Sequence, residues 1–184
     1  MAGRRTLTII KPDAFGAGKA GAIIAHLEAQ GFQVRAARVL HLTQAQAEEF
    51  YAVHRDRPFF GSLTRFMTSG RCMPMVLERD DAVATLRTVI GATDPAEAAP
   101  GTVRKLFAES KERNAIHASD SDENAVREAG FFFAEADVGA IASPRRVAGS
   151  TTLRPTSRQP PPRIPARLLG TVTPGVLVIR CIRI

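Results

Sequence analysis

The sequence predicts an α/β fold in which an open sheet is covered by helices, followed by a basic, proline-rich tail. Three observations carry that reading. Short β-prone runs alternate with stretches of helical periodicity. With 45% apolar and 23% charged residues in 184, the chain holds about one domain's worth of core. No run approaches the roughly 18 apolar residues a membrane helix needs, so no membrane association is expected. The pattern leaves open whether the strands run parallel or antiparallel.

Thr6–Lys11 reads as a buried strand closed by Pro12. Gly21–Gln30 places Ile23, Ile24 and Leu27 on one helical face and stops at Gly31. Phe32–Leu42 is strand-like, with Val34 and Ala36 alternating, and Thr43 with Gln46 forms a capping box for a helix through Tyr51. Pro58 opens a helical stretch over Phe59–Ser69, ended by Gly70, and Cys72–Glu78 is a third strand. Asp80 or Asp81 is expected to cap a helix carrying Val83, Leu86, Val89 and Ile90, which Gly91 ends. Residues 92–113, with Pro95, Pro100 and Gly101, read as a long ordered loop. Ser121 or Asp122 caps a last helix through Glu128, before the apolar run Phe131–Phe133.

The net charge of +7 has a single source. From Gly139 to Ile184 there are eight arginines and seven prolines, and no Asp, Glu or Lys. Removing eight charges from +7 leaves −1 on residues 1–138. The body, 1–138, therefore has no bulk electrostatic reason to bind nucleic acid, and only the tail, 139–184, offers one. Proline cannot donate to a helix or sheet ladder, so most of that tail is expected to be disordered. Two cysteines, Cys72 and Cys181, make no disulfide framework, and no targeting address is legible, so the cytoplasm is the expected compartment.

Two constellations invite chemistry. Gly16-Ala-Gly18-Lys-Ala-Gly21 is literally G-x-G-x-x-G, between a strand and a helix, and suggests a dinucleotide-binding turn. The acid needed for the ribose is missing, because no carboxylate lies between Glu28 and Glu48. The stronger constellation is Asn114-Ala-Ile-His117-Ala-Ser119-Asp120-Ser121. It follows a loop bearing proline and glycine and precedes a helix start, where free backbone N–H groups favour anions. A neutral imidazole is a nucleophile near neutral pH. Ser119, Asp120 and the later Glu128 supply groups able to orient it.

Over Arg4 to Asp137 the chain resembles the nucleoside diphosphate kinases. The resemblance rests on that histidine segment and on Ile10-Lys11-Pro12-Asp13, Tyr51, Arg57-Pro58-Phe59-Phe60, Ser69-Gly70 and Arg87. Ile90-Gly91-Ala-Thr93-Asp-Pro95, Pro100-Gly101-Thr-Val-Arg104, Glu128 and Phe131–Phe133 follow in the same order. It implies a ferredoxin-like α+β sandwich with an antiparallel sheet. It also implies transfer of the γ-phosphate of a nucleoside triphosphate, mainly ATP, to nucleoside diphosphates, maintaining NTP and dNTP pools. His117 would be the nucleophile, passing through a pros-phosphohistidine.

By the same resemblance Glu128 orients the ring with Ser119 alongside, and Tyr51 and Lys11 meet the transferring phosphate. Arg87, Thr93 and Arg104 clamp the remaining phosphates. Asn114 with Lys11 reads the ribose hydroxyls, and Phe59 stacks on the base. Asp120 reaches Mg²⁺, the implied cofactor, through water. A homo-oligomer, tetramer or hexamer, is also implied. The chain departs from the family at Ala118, where a glycine is common, at Ala17 and Arg79-Asp80, and in its tail. The competing reading is a nucleic-acid-binding or scaffold protein using the basic tail on a kinase fold.

Overall fold

The computed structural model describes residues 3–138, so the expectation of a disordered tail lies outside the described residues. Four strands form one sheet: β1 (Arg5–Ile10), β2 (Gln33–Ala37), β3 (Met73–Glu78) and β4 (Ile116–Ala118). Their order is β2-β3-β1-β4, and every neighbouring pair is antiparallel. This resolves the direction that pattern left open and gives the ferredoxin-like arrangement.

The helices are α1 (Pro12–Gly16), α2 (Ala20–Ala29), α3 (Gln44–Phe50), α4 (Phe60–Met67), α5 (Ala82–Ile90), α6 (Val103–Phe107), α7 (Asp122–Phe132) and α8 (Glu135–Val138). One sheet face packs Ile10, Met75, Leu77 and Ile116 against Ile23 and Leu27 of α2 and Leu86 and Ile90 of α5. The other packs Leu7, Ile9 and Val76 against Phe50, Tyr51, Met67, Phe132 and Phe133. Successive residues of a strand point to opposite faces. A strand covered on both faces is therefore buried along its length, as β1 is from Thr6 to Ile10 and β3 from Pro74 to Leu77, with Thr6 and Thr8 as buried polar members of β1.

Local chemistry sets several boundaries. The Thr43–Gln46 capping box is formed, with each side chain bonding the other residue's backbone N–H. After α2, Gly31 at φ +84° lets the Gly31 and Phe32 N–H groups return to the carbonyls of Glu28 and Leu27, at 2.9 and 3.2 Å. That is a Schellman closure, which glycine permits at little cost.

Other expectations are corrected. Pro12 closes β1 but also begins α1, so the G-x-G-x-x-G run joins two helices rather than a strand and a helix. The second strand stops at Ala37, after a register shift between Val34 and Ala36, and continues only as a bridge from Leu40 to Cys72. Asp81 occupies the N-cap of α5 at φ +51°, yet its side chain caps nothing; the Ala82 N–H instead meets the Gly3 carbonyl. The 92–113 loop contains α6, and α7 runs four residues beyond Glu128, through Phe132. The strand β4, at the histidine itself, is additional to the three read from pattern.

Candidate active site

Strand alternation aims the histidine. On β4, Ile116 and Ala118 join the α2/α5 core, so His117 between them faces α3 and α7. β1 fixes the register by pairing Ile9 with His117, and the Thr8 hydroxyl donates to the His117 carbonyl at 2.6 Å. Phe50 and Tyr51, at the end of α3, meet the imidazole in T-shaped arrangements, with centroids 5.5 and 6.0 Å away.

On the other side, α7 starts at Ser121, whose hydroxyl accepts the Asn124 N–H, and carries Glu128 inward. Glu128 Oε2 lies 2.9 Å from His117 Nε2 and accepts the Ser119 hydroxyl at 2.7 Å. Burial pushes the Glu128 carboxyl up, but the hydrogen bonds and charges of His117, Ser119 and Arg127 outweigh it and hold the acid below its ordinary range. A carboxylate can only accept, so whenever the imidazole is neutral its proton sits on Nε2 and its lone pair on Nδ1.

Three cations gather at the same end of the sheet. Lys11, the N-cap of α1 and only 7% exposed, donates to Asn114 Oδ1 at 2.6 Å and lies 5.9 Å from the centre of the Phe66 ring. Burial and the Arg104 guanidinium lower its pKa to about 8, against the pull of Asp13. Arg104 donates to the carbonyls of Gly91 and Ile116 at 2.9 and 3.0 Å. Burial and the neighbouring Arg87 lower its own pKa to about 10. Arg87 also helps to hold Asp120 below the usual carboxylate range, after the stronger effect of the Asn124 amide, which donates to Asp120 at 2.6 Å.

Two polar atoms here are buried without a protein partner, the Tyr51 hydroxyl and Arg104 Nε. Burial and the Glu128 charge push the Tyr51 phenol far above its ordinary range, so it stays protonated. A cluster of like charges with unused donors is costly to fold unless an anion completes it. The donor set suits a polyphosphate: forked guanidinium groups, one movable ammonium and a phenol.

The structure thus brings together Lys11, Tyr51, Arg87, Arg104, Asn114, His117, Ser119, Asp120 and Glu128. Among the described residues, no hydrogen bond, ion pair or ring contact joins the side chain of Phe59 or Thr93 to these residues. Phe59 is 50% exposed, with its ring 5.7 Å from His54, and Thr93 is exposed in the loop after α5. Thr8 and Phe50 also touch the histidine and lie outside the motifs that single out the other site residues. Phe50 has a local signal, since the capped helix that delivers Tyr51 delivers its neighbour too. Thr8 acts through a contact 109 residues away, which no local pattern announces. A recess of about 500 Å³ between α1 and Ser69–Arg71 includes Asp13 and Arg113 in its lining, but not His117, Tyr51, Arg87 or Arg104. Among the described residues, no group of three or more His, Cys, Asp or Glu side chains is placed to hold a metal ion.

Comparison with known proteins supplies the family. The family model for nucleoside diphosphate kinase matches residues 4–138. The nucleoside diphosphate kinase of Chlorobium chlorochromatii is 61% identical over 134 residues, covering 73% of this chain and 96% of that protein. The Sorangium cellulosum enzyme is 53% identical over 143 residues, covering 78% and 99%. Among solved structures, the Aquifex aeolicus nucleoside diphosphate kinase superimposes with a TM-score of 0.72 at 45% identity, covering 74% of this chain and 99% of that one. A histidine held by a buried carboxylate beside three cations, on a body that matches these proteins almost end to end, belongs to a phosphotransferase: the chain is a member of the nucleoside diphosphate kinase family.

Proposed function

We propose that this kinase works by two successive displacements at His117 Nδ1. The carrying observation is the Glu128–Nε2 hydrogen bond, which commits the ring's proton to one nitrogen and leaves the other as a nucleophile. Nδ1 attacks the γ-phosphorus of a nucleoside triphosphate, mainly ATP. The bond to the bridging oxygen breaks, and the diphosphate departs with the electron pair. A second nucleoside diphosphate then attacks the pros-phosphohistidine with a terminal oxygen and leaves as a triphosphate, so NTP and dNTP pools interconvert.

Such a reaction asks the protein mainly for positioning and charge. Arg87, Arg104 and Thr93 hold the non-transferred phosphates, Lys11 and the Tyr51 hydroxyl meet the moving one, and Lys11 with Asn114 reads the ribose hydroxyls. The orphaned Tyr51 hydroxyl and Arg104 Nε support these roles. Phe59, half exposed, offers the base a flat surface and no hydrogen-bonding edge, which favours acceptance of purines and pyrimidines alike. The family's reaction requires a divalent metal, for which we assign Mg²⁺. When bound it neutralises phosphate charge, and Asp120, a hard oxygen donor, suits a contact through water.

Residues 1–138 are assigned as the catalytic domain. A homo-oligomer, tetramer or hexamer, is supported by the outer edge of β2, which no strand among the described residues covers, and by exposed Val39 and Phe131. A cytoplasmic location is consistent with the cysteine content; no described helix is long and apolar enough to cross a membrane. The nucleic-acid reading of the tail gains nothing from the comparisons, which match the body.

Incubation with γ-labelled ATP and Mg²⁺ tests the mechanism. The protein should acquire an acid-labile phosphate, and His117→Asn should abolish both this label and nucleotide exchange. Exchange retained by that variant refutes the mechanism.

A further inference from the structure

Asp13 is a buried acid that the reaction above leaves without a task. It lies in the first turn of α1, two residues after Lys11, and is only 8% exposed. Its Oδ2 accepts the Ala115 backbone N–H at 3.0 Å, while its Oδ1 is buried without a partner. The residue it holds is unusual. Ala115 has φ +67°, in the left-handed region that a side chain's Cβ disfavours. The Ile116 N–H returns to the Asn114 carbonyl at 2.8 Å, so residues 114–116 form a γ-turn of the rare, strained hand, with its centre wholly buried.

Strain of this kind persists only where the surroundings over-determine it. Here the Lys11 N–H holds the Ala115 carbonyl at 2.9 Å, and the Lys11 ammonium holds the Asn114 side chain. Asp13 supplies the acceptor for the remaining amide, and an ionised acceptor makes the stronger bond. Without it, a buried N–H is orphaned, and the turn has reason to relax toward negative φ. Asn114 stands on one side of this turn and His117 two residues beyond its centre.

We propose that Asp13 is a positioning residue: by gripping the Ala115 amide it maintains the strained turn that sets Asn114 against Lys11 and delivers His117 in register to β1. The proposal rests on the reading of His117 and of the Lys11–Asn114 pair given above. Asp13 has a competing route to influence, since its charge supports the Lys11 ammonium. The bond and the charge are separable, because asparagine retains the acceptor and loses the charge.

The test compares kcat/KM for a ribonucleoside triphosphate with that for its 2′,3′-dideoxy analogue, in full-length wild type, Asp13→Asn, Asp13→Ala and Asp13→Ala/Ala115→Gly. The ratio of the two values does not depend on how much enzyme is folded, so simple destabilisation leaves it unmoved. Wild type should prefer the hydroxyl-bearing substrate by roughly tenfold or more, the worth of one good hydrogen bond. Asp13→Ala should lose on the order of 10²-fold in kcat/KM, as misplacement by an ångström does, with the ratio falling toward one. Asp13→Asn should keep the wild-type ratio. Adding Ala115→Gly to Asp13→Ala should restore much of the loss, because glycine adopts positive φ unaided.

An unchanged ratio in Asp13→Ala overturns the proposal. So does an Asp13→Asn variant as impaired as Asp13→Ala, or a double variant that recovers nothing. A wild type without hydroxyl preference removes the Lys11–Asn114 assignment and the proposal with it. Failure of the catalytic reading itself shows separately, as wild-type protein that takes up no label on His117.

Discussion

Lys11 is charged against its surroundings. Burial and Arg104 draw its pKa down to about 8, two of the three cations of the site thus repelling each other until a phosphate arrives. The sign of the resulting pH dependence follows. Below about 8 Lys11 is an ammonium which, in the role proposed for it, faces the triphosphate; above it the charge, and with it part of that attraction, is lost. The profile of kcat/KM, which reports the free enzyme, should therefore fall as pH rises through about 8. Bound phosphate adds negative charge beside the ammonium and raises its pKa, so the fall in kcat should come at higher pH. Lys11→Arg should carry the kcat/KM limb toward or beyond pH 10, whatever activity remains. A limb that stays near 8 in that variant assigns the titration to another group.

At the scale of elements, the junction between α5 and α6 shows how a turn can serve catalysis. Gly91 ends α5 at φ +82° and ψ −176°, a region essentially reserved for glycine. A Cβ there would lie 2.5 Å from the Thr102 hydroxyl and 2.8 Å from its Cβ. The Gly91 carbonyl accepts one arm of the Arg104 guanidinium. Gly91→Ala combines backbone strain with a steric clash, and should cost roughly 2–5 kcal/mol in denaturant unfolding. It should also raise KM for the triphosphate by displacing Arg104. Wild-type unfolding and KM in this variant would contradict the account.

The same scale explains what the sequence made legible. Glycine stops, the capping box and the long apolar strands announce themselves locally, and β1, β3, α2 and α3 were readable for that reason. β4 has three residues, too few for any period, and exists because β1 lies more than a hundred positions earlier to pair with it. The five-residue helices α1 and α6 are likewise too short to show a face. Asp81 looked like a cap by residue type, but its left-handed backbone turns the helix start over to Gly3. The residues proposed to react lie in short motifs that follow one another in order. Their supports, Thr8, Phe50 and the grip of Asp13 on Ala115, were not legible, because each joins distant parts of the chain.

For the whole molecule, the question is whether the body needs its basic extension. Every fully assigned member of the two described cores lies between Leu7 and Phe133, and each sheet face is closed by helices of that same span. Val138, the last described residue, is half-buried and packs against the second core. A chain ending after Val138 keeps all of this and exchanges a net charge of +7 for −1. Hydrophobic burial, not net charge, dominates folding. The truncated protein should therefore unfold cooperatively near the full-length midpoint and exchange phosphate at a comparable rate. Its binding to polyanions should weaken sharply and lose its salt dependence, since that dependence scales with the number of cationic contacts. Loss of cooperative unfolding on truncation would show that the catalytic body extends past residue 138, and unchanged polyanion binding would place the basic surface on the body instead.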